Sequence, residues 1–159
     1  MTEQTMEKQP LVLPRWLVRT IWKLHRVAYA VTGGRFGLRT VAPGRWGMLR
    51  LTTTGRRSGK RRVAIVGYLE DGPSIVVPAM NGWADPEPAW LLNLQADADA
   101  TVELPGGETR EVTARVPDDA ERRRLWQRFL DLGTSAYTEA NEALRSRETA
   151  IVVLEPRSR

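Results

Sequence analysis

Met48-Leu49-Arg50-Leu51-Thr52-Thr53-Thr54-Gly55-Arg56-Arg57-Ser58-Gly59-Lys60-Arg61-Arg62-Val63-Ala64-Ile65-Val66-Gly67-Tyr68-Leu69 reads as strand, turn, strand. Met48 to Thr53 alternates with period two, and Arg62 to Leu69 is rich in Val and Ile, the β-branched residues that fit a pleated surface. Between them lies a short turn of small residues with Gly55 and Gly59, carrying five cations within seven positions. A short turn between two such runs predicts hairpin-linked strands, not the long crossover helix of a parallel sheet.

The pattern continues outward. Asp71-Gly72-Pro73 is a turn signal, Ser74 to Ala79 a third strand, and Pro78 within it marks an edge or the end of pairing. Asn81 to Pro86 reads as a loop, and Pro86 or Pro88 starts a short helix through Ala96. Thr101 to Leu104 and Thr109 to Val116 flank Gly106-Gly107, a hairpin signal. Asp118 caps the next helix, with Glu121 placed for a capping box, and Leu125, Trp126, Phe129 and Leu132 share its inward face before Gly133 ends it. A short helix near Tyr137 to Leu144 and a strand from Ala150 to Leu154 complete the chain. Short, mostly hairpin-linked strands with a few helices predict a mainly β fold with peripheral helices, a small and partly open barrel.

Upstream, residues 1–13 are expected to be flexible, residues 14–34 to be an amphipathic helix with its terminus at Gly33-Gly34, and residues 35–159 to be the barrel domain. The helix sets Arg15, Arg19, Lys23 and Arg26 on one stripe and Trp16, Leu17, Ile21, Leu24, Ala28 and Val31 on the other. Three placements are open to it: packed on the domain, lining a substrate entrance, or, through residues 14–31, lying on an anionic membrane surface. The expected location is cytoplasmic, with that contact peripheral on the inner face of the cell membrane.

Composition narrows the chemistry. The 159 residues fit one domain, with no Cys and one His, which excludes disulfides and thiolate or multi-His metal sites; no metal is expected. The net charge of +5 hides a division: Lys8 to Leu69 holds 14 Lys and Arg with no Asp or Glu, whereas residues 70–159 carry 10 basic and 17 acidic residues. A basic segment of this kind suits an anionic partner. The turn is not a P-loop, because three residues instead of four separate its glycines and Lys60 is followed by Arg61. No nucleophile elbow surrounds Ser58, and His25, on the first helix, is read as a surface residue. Nucleic acid is disfavoured because no recognition helix or ribonucleoprotein motif accompanies the six Trp residues. A small anionic ligand remains, gripped by Arg side chains and Gly amides, and a redox cofactor fits because it brings its own chemistry.

The residues then resemble a known family. Leu51 to Gly59 with Arg62, Pro88-Ala89-Trp90-Leu91-Leu92-Asn93-Leu94, and Ile151 to Pro156 are together similar to the deazaflavin (F420)-dependent nitroreductase family of actinobacteria, the A-type flavin/deazaflavin oxidoreductases. The resemblance covers about residues 14–156. It implies a split β-barrel of the FMN-binding-like kind and reduced coenzyme F420 as hydride donor, with FMN the second choice. The acceptor would be a hydrophobic small molecule: a conjugated enone or lactone, a quinone or a nitroaromatic. It implies that Arg56, Arg57 and Arg62 meet the phosphate and tail carboxylates, that Thr54, Ser58 and Gly59 belong to the grip, and that Ala79, Met80, Asn81, Gly82 and Trp90 border the ring. The catalytic proton donor is Tyr137 or solvent, a choice left open by the sequence, and the protein is a monomer or homodimer. Lys60 and Arg61 receive no contact. Asn81, Met80 and Gly67 stand where nitroreductases of the family carry Lys, Ser and Tyr, so the polarity of the acceptor side differs and a bulky, apolar conjugated carbonyl is at least as good a candidate acceptor. The alternative reading is a carrier of FMN or F420 without turnover.

Overall fold

The computed structural model describes residues 16, 17, 20, 21, 23, 24, 27, 37–81, 86–133, 142, 143 and 146–157. Eight elements follow in order: β1 (Gly47–Thr54), β2 (Arg61–Asp71), β3 (Ser74–Pro78), α1 (Ala89–Ala96), β4 (Asp99–Glu103), β5 (Thr109–Arg115), α2 (Asp119–Leu132) and β6 (Ile151–Pro156). The six strands form a closed antiparallel barrel in the order β1-β2-β3-β6-β5-β4. The ring that the sequence left partly open is shut by β1 against β4, with Thr52 opposite Thr101. Closure removes the exposed strand edges that a small sheet would otherwise present.

Alternation sorts the side chains. Leu49 and Leu51 of β1, Val66 and Tyr68 of β2, Ile75 and Val77 of β3, and Val152 and Leu154 of β6 fill the barrel interior. The intervening residues Leu69, Val76, Ile151 and Val153 face outward, under Leu125 and Phe129 of α2. β3 and β6 are therefore buried on both faces, which is why they read as unbroken apolar runs. Pro78 ends β3 opposite Ile151, so it costs the interior ladder nothing.

α1 and α2 begin as expected but are held differently. Pro88 is the N-cap of α1, and its carbonyl accepts from the amides of Leu91 and Leu92. Trp90, Leu91 and Leu94 of α1 pack into the interior cluster beside β1 and β2. Asp118 caps α2 by accepting from the Glu121 amide at 2.8 Å. The return half of the capping box is not made, because the Glu121 carboxylate is bound by Arg115 at 2.6 and 2.9 Å. A guanidinium that offers two charged N–H groups outcompetes a single uncharged backbone amide for the carboxylate.

Of the first helix, Trp16, Leu17, Thr20, Ile21, Lys23, Leu24 and Val27 are described, all helical. Trp16 and Leu24 are 68% and 64% exposed. No helix among the described residues is long and apolar enough to cross a membrane.

Candidate cofactor and acceptor cavity

The turn between β1 and β2 is built by its glycines and Ser58. The amide of Gly55 donates to Lys60 O at 2.8 Å, and the amides of Ser58 and Gly59 return to Gly55 O at 3.1 and 2.7 Å. Gly59 has φ of +65°, the left-handed region where a side chain is strained. The Ser58 hydroxyl accepts from the Lys60 amide at 3.4 Å and from Arg62 Nη2 at 3.3 Å. The turn is thus folded on itself before any ligand arrives.

Asn93 fixes this turn to α1. Its Oδ1 accepts from the Arg56 amide at 3.2 Å and from Arg56 Nη1 at 3.4 Å, and its Nδ2 donates to Thr53 Oγ1 at 3.0 Å. Asn93 is 4% exposed and Thr53 2%, so these contacts satisfy polar groups that would otherwise be buried without partners. The sequence reading quoted Asn93 within the helix motif and gave it no role. A polar residue inside the apolar run Trp90 to Leu94 was the available signal.

A cavity of about 1000 Å³ opens beside the turn and follows β2. At its first end stand Gly55, Arg56, Arg57, Ser58, Arg61 and Arg62. Val63, Ile65 and Gly67 follow on one face of β2, and six residue steps from Arg61 to Gly67 span roughly 20 Å at the rise of a strand. At the far end are Trp46, Met48, Gly67, Pro78 and Met80. Asn81, Pro88, Ala89, Trp90 and Asn93 form a side wall, and Lys23 of the first helix also reaches the lining. The lining thus holds Lys23, Arg56, Arg57, Arg61 and Arg62 and no carboxylate. None of these cations, nor Lys60, forms an ion pair among the described residues.

The expected site residues distribute as follows. Arg56, Arg57, Ser58, Arg62, Met80, Asn81 and Trp90 all line the cavity. Gly59 shapes the turn without lining it. Ala79 is fully buried in the barrel interior. Thr54 lines a separate polar depression of about 290 Å³ with Thr52, Thr101, Asp99 and Glu111. Gly82 and Tyr137 lie outside the described residues. Arg61, left without a contact by the sequence reading, lines both the depression and the cavity. Lys23, Trp46 and Met48 were also missed, because their approach to β2 depends on tertiary packing. Tyr68 faces the interior, and its phenol is pushed above the ordinary value by burial first and by Glu70 second, so it stays protonated at neutral pH.

Comparison with known proteins gives the family and the fold. Residues 21–156 match the family described as F420H(2)-dependent quinone reductase. The F420H(2)-dependent quinone reductases of Mycobacterium tuberculosis strains CDC 1551 / Oshkosh and H37Rv are each 32% identical over 148 residues, 89% of this chain and 97% of their own. A solved structure described as an F420-H2 dependent reductase (FDR-A) has a TM-score of 0.59 at 24% identity, over 68% of this chain and 93% of its own. Another, described as a domain-swapped dimer, has a TM-score of 0.63 at 22% identity, over 86% and 99%. At those identities the two structures bear on the fold alone, a split barrel. By its sequence match through nearly the whole barrel, the chain belongs to the F420H(2)-dependent quinone reductase family, oxidoreductases whose hydride donor is reduced F420.

Proposed function

We propose that this chain reduces quinones with reduced F420 bound along β2, its anionic end in the basic turn and the acceptor at the apolar end. The observation that carries the reading is the cavity's charge: five cations and no carboxylate in one lining, grading into Met and Trp along a single strand. F420 is a deazaflavin with a phosphodiester and an oligoglutamate tail, so its charge matches the donor set. Arg56, Arg57, Arg61 and Arg62 offer guanidinium forks for phosphate and carboxylate, and Ser58 and the Gly59 amide offer neutral donors. Asn93 holds Arg56 in register by contacting both its amide and its guanidinium. Met80, Asn81, Gly82 and Trp90 border the ring, while Thr54, at the end of β1, and Ala79, just after β3, support it from the barrel.

When bound, F420 supplies a hydride from its deazaflavin ring. A quinone that takes one hydride needs one proton to become the hydroquinone. Among the described lining residues there is no carboxyl, imidazole or phenol to give it. Tyr137 or solvent is the donor in this reading. The apolar far end favours flat, uncharged acceptors, quinones first, with conjugated enones and lactones next and nitroaromatics last.

The test is anaerobic oxidation of reduced F420 by the pure protein with benzoquinones, naphthoquinones, an unsaturated lactone and a nitroaromatic in parallel. Quinone-dependent oxidation, with neither reduced FMN nor NADH substituting, is expected. No oxidation with any acceptor, although F420 binds, would favour the carrier reading instead.

A second reading concerns the first helix. Trp16, Ile21, Leu24 and Val27 are exposed while Lys23 reaches the cavity, an arrangement suited to gathering a lipid-soluble acceptor at an anionic bilayer. Co-sedimentation with anionic liposomes, lost on deleting residues 1–31, is the expected result; equal recovery of both forms in the supernatant would remove it.

A further inference from the structure

We infer that Trp46 is the residue that sets the size of acceptor this chain can take, an inference that rests on the quinone-reductase reading above. Trp46 stands just before β1 and joins the far end of the cavity, where Met48, Gly67, Pro78 and Met80 are its neighbours in the lining. Three contacts fix its indole. Nε1 donates to Phe129 O at 2.9 Å, close to the end of α2. The ring meets Phe129 edge-on, with centroids 5.2 Å apart and planes at 85°. Glycines accept it on two sides: a Cβ at Gly133 would lie 2.8 Å from Nε1, and one at Gly67 would lie 3.3 Å from Cε3.

The two glycines decide what the indole can do. At Gly133 any side chain would collide with the ring nitrogen, so the ring cannot retreat toward α2 if that position gains bulk. At Gly67 the missing side chain leaves the floor of β2 bare where the indole lies over it. The ring's one polar group is already bonded to the Phe129 carbonyl, so it presents only carbon to the cavity. A rigid, flat, apolar wall without a free donor recognises a substrate by shape. It admits a planar ring alongside it and rejects substituents that project into the indole. Met48 and Met80, which are flexible, can adjust around a ligand; the pinned Trp46 cannot.

A purely architectural role, as a wedge joining α2 to the barrel, would also explain the contacts with Phe129 and Gly133. The two roles separate in acceptor selectivity. Two 1,4-benzoquinones are compared, one unsubstituted and one carrying tert-butyl groups, for wild type, Trp46→Leu and Trp46→Phe. The inference expects Trp46→Leu to raise the bulky-to-small ratio of kcat/KM about tenfold, the order of effect for one or two carbon groups in an apolar pocket. Trp46→Phe should fall between, and F420 affinity should stay within about twofold of wild type, since the substitution lies far from the cationic turn.

The same ratio is read without turnover, as binding of the matching hydroquinones to the oxidised F420 complex by calorimetry. Gly67→Ala, whose methyl would stand 3.3 Å from the indole Cε3 and take up space at the far end of the cavity, should lower both ratios. If Trp46→Leu does not fold, Trp46→Phe and Gly67→Ala carry the test. Folded variants with unchanged ratios would overturn the inference and leave the wedge role alone. A wild-type protein that neither binds F420 nor turns over any quinone would instead refute the reading on which it rests.

Discussion

On the α2 side of the barrel, Arg124 and Arg128 share the carboxylate of Asp71 at 2.8 and 2.5 Å, and Arg115 bridges Glu121 and Glu155, both at 2.6 Å. At the β1–β2 turn, Arg56, Arg57, Arg61 and Arg62 meet no carboxylate at all among the described residues. The paired arginines offset part of the acidic half's charge on an exposed surface, where such pairs contribute little to stability. The unpaired ones stand beside one another and raise the energy of the empty turn by like-charge repulsion. An anion entering such a cluster would relieve that repulsion, so the same residue type forms surface ion pairs in one region and, in the proposed function, the cofactor grip in the other.

The largest predicted effect breaks the second group. Replacing Arg56 and Arg57 together by Ala should weaken F420 binding by roughly 1.5–3 kcal/mol per lost charged hydrogen bond, measured by fluorescence titration, with little change in unfolding temperature. Asn93→Ala comes next. It leaves Thr53 Oγ1 and the Arg56 amide without partners, so it should cost roughly 1–3 kcal/mol of stability in urea unfolding and weaken F420 as well. Arg124→Ala, by contrast, should leave urea unfolding nearly unchanged and F420 affinity unchanged. Equal losses of affinity from Arg56→Ala and Arg124→Ala would erase the distinction between the two groups.

The smallest effect is a pH dependence confined to the paired side. The Asp71 carboxyl is held below its ordinary value of 3.8, first by the hydrogen bond from Arg124 and then by the charges of Arg124 and Arg128. A carboxyl lowered in the folded state binds fewer protons there than in the unfolded chain. Its contribution is therefore complete above the unfolded value and is lost as pH falls through the folded one. Acid unfolding of wild type should show this loss below about pH 4, and Asp71→Asn should be less stable at neutral pH and flatter in that window.

Much of the barrel was legible because its strands alternate and end at Gly and Pro. β1 and β2 were found to within a residue or two at each end, and Pro88 and Asp118 marked both helix starts. Closure of the ring was not legible, because Thr52 finds Thr101 through a pairing that no local signal encodes. The cationic turn was legible from its charge and glycines, and Arg56, Arg57, Ser58 and Arg62 do stand on the cavity lining. Its anchor was not: Asn93 meets Thr53 and Arg56 across 40 and 37 positions of sequence. Trp46 was hidden for the same reason, since its partners Phe129 and Gly133 lie far along the chain. Glu121 misled the capping-box reading because Arg115, on a neighbouring strand, competes for its carboxylate.

The account turns on whether the unpaired arginines hold an anionic deazaflavin. Titration of F420 into the pure protein, followed by cofactor fluorescence at low and high salt, asks this directly. Binding in the micromolar range or tighter that weakens as salt screens the turn is the predicted result. Absence of binding at low salt would contradict the account, as would an affinity that ignores both salt and the loss of Arg56 and Arg57.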